Sequence, residues 1–184
     1  MESYAGNLAR VSAAAKYFLP GREWGAKVGG AAILLPLYLA VAVSLLLALA
    51  LVAAAVIDLH QFRLPDAITL PLIAAGLGLA ALSPAPALAE RLLGAGAGFA
   101  LLAALGAVHF RWRGREGLGL GDAKLFAATG AWLGWQALPW VLALAAGGAL
   151  IWAVALRRSG AIAFGPWLAL AFWVLWLAQI SRTV

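Results

Sequence analysis

Gly29–Ile57 reads GGAAILLPLYLAVAVSLLLALALVAAAVI and contains no charged residue. A helix over it is about 43 Å long at about 1.5 Å per residue, enough for one tilted membrane crossing and too short for two. Pro36 either kinks that helix or marks its first turn. The uncharged run stops at Asp58, and the polar patch Leu59-His60-Gln61-Phe62-Arg63 follows. The whole chain agrees with this start. It is 65% hydrophobic and 11% charged, with a mean hydropathy of +0.97; soluble domains are about 45–50% apolar and about 25% charged. Nine tryptophans suit helix ends at a bilayer interface. The fold class is all-α, a polytopic membrane helix bundle.

Working outward, Leu64-Pro65-Asp66 opens a second helix, with proline in its first turn. It runs through Ile68–Leu82 and stops at the turn Ser83-Pro84-Ala85-Pro86. A third span covers about Leu88–Val108, with Glu90 and Arg91 at its entrance. Glycines 94, 96, 98 and 106 on it favour close helix packing. The basic loop His109–Glu116 leads into Gly117-Leu118-Gly119-Leu120-Gly121-Asp122-Ala123-Lys124, and apolar runs resume at Leu125–Trp135 and Leu138–Leu156. Phe164-Gly165-Pro166 opens a last span to about Ile180. Six membrane helices are expected. Residues 1–28 form a separate polar segment with a short surface helix up to Leu19-Pro20-Gly21. It is no signal peptide, because no apolar core follows a short basic start. Residues 29–184 form the membrane-embedded domain.

The formal charge is +6, but the basic residues are scattered among apolar runs and build no surface for nucleic acid. They report topology and attraction to membrane lipid instead. With alternating spans, Arg63, Arg111, Arg113, Arg115, Lys124, Arg157 and Arg158 share one side. After residue 30, Arg91 and Arg182 take the other. The bias puts Asp58 and Asp122 at the cytoplasmic face. The basic residues of the first segment run against it. Without cysteine there is neither disulfide nor thiolate metal site.

Asp58 and Asp122 stand out among the acidic residues. Asp58 ends an uncharged run at a helix C-terminus, where it opposes the helix dipole, so capping does not explain it. Asp122 reads either as a helix N-cap or as the second half of a carboxylate pair. The alternate glycines 117, 119 and 121 favour the pair: they suit a backbone lying close to a bound peptide, or angles closed to other residues. Two carboxylates a few ångström apart share one proton. The ionised one activates water and the protonated one polarises a peptide carbonyl. Asp66 serves the start of its own helix, and Glu116 pairs with Arg113, Arg115 or Lys124 in the basic loop. His60 and His109 lack metal-ligand partners, no serine sits in a strained turn beside a base, and the glycines precede no Gly-Lys-Ser/Thr. No metal and no cofactor are expected. The competing reading is a small transport or assembly subunit with Asp58 and Asp122 as an ion or proton site.

Ile57-Asp58 with Leu64-Pro65-Asp66, then Gly119-Leu120-Gly121-Asp122-Ala123-Lys124, resembles the bacterial type IV prepilin peptidases, GxGD-type membrane aspartic proteases whose motif presenilin shares. Glu116-Gly117, Gly130-Ala131-Trp132-Leu133-Gly134-Trp135 and Phe164-Gly165-Pro166 match as well, in order over roughly residues 40–180. The resemblance implies Asp58 and Asp122 as catalytic aspartates, with Gly119, Gly121 and Lys124 as supporting motif residues. It implies a prepilin or type II secretion pseudopilin as substrate, its basic leader cut off after a glycine at the cytoplasmic face of the bacterial inner membrane. Asp66 and Glu116 are the expected leader contacts. Larger members carry paired CxxC cysteines and methylate the new N-terminus. With no cysteine here, the expectation is a peptidase without that second activity, either a short form or a fragment.

Overall fold

The computed structural model describes residues 37–81, 86–114, 119–157 and 163–181. The expected surface helix, Pro36, most of the Ser83–Pro86 turn, and Glu116 with Gly117 lie outside these residues. Six α-helices are present among them: α1 (Leu37–Gln61), α2 (Asp66–Gly78), α3 (Leu88–Arg113), α4 (Leu120–Leu133), α5 (Leu138–Ala155) and α6 (Gly165–Ile180). A 3-10 turn extends α2 over Leu79–Ala81, and another, Trp135–Ala137, precedes α5. The bundle is polytopic and helical, as its apolar composition demands.

Three segments, Val41–Gln61, Leu88–Trp112 and Trp135–Ala155, are long and apolar enough to cross a membrane. The other three helices are shorter. At 14 residues, α4 is about 21 Å long, less than the roughly 30 Å hydrocarbon core. It does not face lipid. Asp122, Ala123 and every residue from Leu125 to Leu133 are buried, the pattern of a helix that is apolar all round because protein surrounds it. It packs against α3, α2 and α6, while α6 also carries α1 and α5.

Small residues permit this. A Cβ on Gly94 would stand 2.6 Å from the Gly130 carbonyl oxygen, and one on Gly98 would stand 2.9 Å from that of Phe126. These two glycines lie one turn apart on α3 and let α4 touch backbone to backbone. Gly96 faces open space, so the close approach to α4 rests on Gly94 and Gly98. Trp132 then joins three helices. Its indole N–H donates to the Leu72 carbonyl of α2 at 2.7 Å, and its ring meets Phe172 and Trp176 of α6 edge-on, with centroids 6.1 and 5.1 Å apart. Trp176 in turn donates to Ser44 Oγ of α1 at 3.1 Å.

Arg91, placed by the sequence reading at a span entrance and counted there for topology, has a structural part as well. Its side chain is buried, and Nε donates to the Pro86 carbonyl at 2.9 Å. Nη1 reaches the carbonyls of Gly76 at 3.0 Å and of Ala131 and Trp132 at 3.1 Å. The carbonyls that end α2 and α4 lack partners within their own helices, and a guanidinium is the side chain able to serve several at once. The cation also sits at the negative ends of two helix dipoles. Beside it, Glu90 accepts from the Gln136 side-chain amide at 3.2 Å.

Candidate active site

Arg91 marks one end of the bundle and the aspartates mark the other. Asp58 lies in the last turn of α1, while Asp66 and Asp122 lie in the first turns of α2 and α4. The up-and-down course of the chain brings these helix ends together, as the alternating-span reading requires.

Asp58 is 5% exposed and Asp122 is 8% exposed. Carboxylates so enclosed need partners, and the partners are backbone amides. Asp58 Oδ2 accepts the Gly165 N–H of α6 at 3.0 Å. Asp122 Oδ2 accepts the Gly119 N–H at 3.3 Å, whereas its Oδ1 is buried without a hydrogen-bond partner. The two carboxylates are close enough for their charges to interact directly. Sequence reasoning paired them across more than sixty residues, and the fold brings them to one site.

The glycine segment needs correction. The helix begins at Leu120 and not behind Asp122, so Asp122 occupies its first turn and reaches back to the amide of the N-cap residue Gly119. Asp122 is therefore not the N-cap residue itself: Gly119 holds that place, and Asp122 accepts its amide from the third helical position. Gly119 is extended, with φ −77° and ψ 151°, a conformation open to any residue. Gly121 is helical, and its reason is contact: a Cβ there would stand 2.7 Å from Leu64 Cβ and 3.1 Å from Leu64 N. Close approach, not unusual backbone angles, accounts for Gly121. Nothing in the structure requires glycine at 119.

Lys124, one turn along α4, pairs with Asp66 at the start of α2. The sequence reading set Lys124 among the partners of Glu116, which lies outside the described residues; the carboxylate that Lys124 meets among them is Asp66. The Asp66 side chain is 58% exposed, so the pair lies at the solvent-facing mouth of the site. His60 and His109 are exposed. Among the described residues, no group of three or more His, Cys, Asp or Glu side chains could hold a metal ion. The residue that sequence reasoning did not assign a role is Gly165. The signal was there: glycine followed by proline at a helix start, where amides lack helical partners.

A buried carboxylate pair with one unpartnered oxygen can hold a water and hand a proton to a carbonyl. Comparison with known proteins bears on this chemistry. Residues 45–154 match the type IV leader peptidase family. Over 147 residues, 76% of the chain and 50% of the relative, it is 44% identical to a prepilin leader peptidase/N-methyltransferase of Aeromonas salmonicida strain A449. It is 40% identical over 147 residues, 76% of the chain and 51% of the relative, to the protein so named in Pseudomonas aeruginosa. For the Escherichia coli K12 protein of that name, identity is 42% over 120 residues, 62% of the chain and 53% of the relative. The chain spans about half the length of these relatives. No solved structure matches it.

Proposed function

We propose, from the premise that this chain belongs to the type IV leader peptidase family, that it is a membrane aspartic endopeptidase acting on prepilin-like substrates. The observation that carries the reading is the pairing of Asp58 with Asp122: two carboxyls, buried and electrostatically coupled, at one end of a bundle otherwise built of apolar helices. The family match does not favour the ion-site alternative.

The chemistry follows from one shared proton. The ionised carboxyl removes a proton from water, whose oxygen bonds to the scissile carbonyl carbon. The protonated carboxyl gives its proton to the carbonyl oxygen, forming a neutral gem-diol. As the gem-diol collapses and the C–N bond breaks, the carboxyl that took the water proton gives it to the departing amine. The other takes the proton of one gem-diol hydroxyl as that oxygen becomes the new carbonyl, so the pair returns to its one-proton state. The unpartnered Asp122 Oδ1 suits the oxygen that meets the substrate. Gly121, packed on Leu64, fixes the start of α4, and Lys124 with Asp66 braces it against α2.

The substrate is a prepilin or pseudopilin helix, with its leader at the cytoplasmic face of the bacterial inner membrane. Asp66 supports a contact to a basic leader residue, since its exposed carboxylate is already engaged by a lysine ammonium, which a leader cation can replace. The basic count on this side of the spans supports the orientation. The test incubates the full chain, in lipid nanodiscs, with a prepilin and follows the shortened product by mass spectrometry. Cleavage that survives in both Asp58→Ala and Asp122→Ala variants overturns the reading.

A further inference from the structure

The first turn of α6 leaves one donor over. Trp167 N–H and Leu168 N–H both bond to the Phe164 carbonyl, each at 3.1 Å. Pro166 has no N–H to give. Of the four amides that open the helix, the Gly165 N–H alone is left without a local acceptor, and helices satisfy such amides with side chains. Here the cap comes from another helix. Asp58, at the end of α1, accepts that N–H at 3.0 Å across 107 residues of chain.

The contact also excludes any larger residue. Gly165 is buried, and a Cβ on it would stand 2.7 Å from Asp58 Oδ2 and 2.9 Å from Asp58 Cγ. Its φ need not be positive, since the positive-φ glycines among the described residues are Gly114 and Gly134. Glycine is required at 165 because the carboxylate lies directly against the backbone.

We infer that Gly165 is a positioning residue: its amide grips Asp58 Oδ2, fixes the plane of the carboxylate and leaves Oδ1 as the oxygen that works on water. Asp58 thereby gains the positive end of the α6 dipole, which offsets its unfavourable place at the end of α1. The Phe164-Gly165-Pro166 segment is the device: proline removes one competing donor, the Phe164 carbonyl occupies two more, and glycine gives the room. The inference rests on the proposed peptidase reading, with Asp58 as a member of the pair.

The test has two variants, made in the full chain and assayed for prepilin cleavage in nanodiscs. Gly165→Ala displaces the carboxylate. An ester in place of the Phe164–Gly165 amide, introduced as the hydroxy acid by cell-free translation, removes the donor without adding an atom that collides. Misplacement of a reacting group by about 1 Å costs on the order of 100-fold, so Gly165→Ala is expected to lose about that factor in kcat, with KM changed less than about twofold. The ester should lose about 10- to 100-fold, as expected for a hydrogen bond to a charged group. Gly147→Ala, whose Cβ meets open space on α5, is the control and should match the parent. Should Gly165→Ala not fold, the ester decides alone. A fully active ester variant overturns the inference, and so does a kcat loss that merely tracks loss of folded protein in a thermal melt. Inactive Asp58→Ala and Asp122→Ala proteins in the same assay would leave the peptidase reading standing in either case.

Discussion

Replacing Asp58 by asparagine and by alanine separates its anchoring of α6 from the chemistry proposed for it. Both substitutions remove the charge, so both relieve the same repulsion with Asp122, and their difference isolates the bond to Gly165. The asparagine side-chain carbonyl still accepts the Gly165 N–H, which lies 3.0 Å from the native oxygen. Alanine leaves that amide buried with no acceptor, at a cost of about 1–3 kcal/mol. For a chain of this size each kcal/mol moves the melting temperature about 2–4 °C. Asp58→Ala should therefore melt about 2–12 °C below Asp58→Asn, measured by tryptophan fluorescence in detergent. Neither variant can deprotonate water, so each should lose at least about 100-fold in kcat/KM. Equal melting temperatures would refute the anchoring argument. An asparagine variant keeping more than about a tenth of the parent's kcat/KM would refute the chemical one.

Arg91→Met should destabilise the protein by about 1–3 kcal/mol for each buried carbonyl that it strands at the ends of α2 and α4; thermal melts check this, and activity per folded molecule should be unchanged at the distant site. Gly130→Val should abolish folding, since even a Cβ there would collide with the Gly94 carbonyl; the readout is the yield of monodisperse protein in size-exclusion chromatography. Asp66→Asn should raise KM for a basic leader several-fold with kcat held, and should alter stability by less than about 1 kcal/mol because the ion pair is exposed. A KM equal to the parent's at low salt would remove Asp66 from leader recognition.

The sequence by itself determined the class of the protein and its two central carboxylates. Gly29–Ile57 admits little but a membrane helix, and Asp58 at its end has no local function, so its cost demanded an explanation. The pattern Gly119–Lys124 made Asp122 its natural partner. Composition and spacing carry such conclusions because the cost of a charge among apolar residues is a local matter. The lone use of each amide is not local. That Gly165 grips Asp58, that Lys124 chooses Asp66, and that Arg91 is a buried clamp depend on which helix ends meet. The same limit explains the glycines. Gly94, Gly98 and Gly121 are needed for contacts with Gly130, Phe126 and Leu64, whereas Gly96 and Gly119 show no such demand. Linear sequence records that a residue is small. Only packing decides whether a neighbour's backbone occupies the space where its side chain would be.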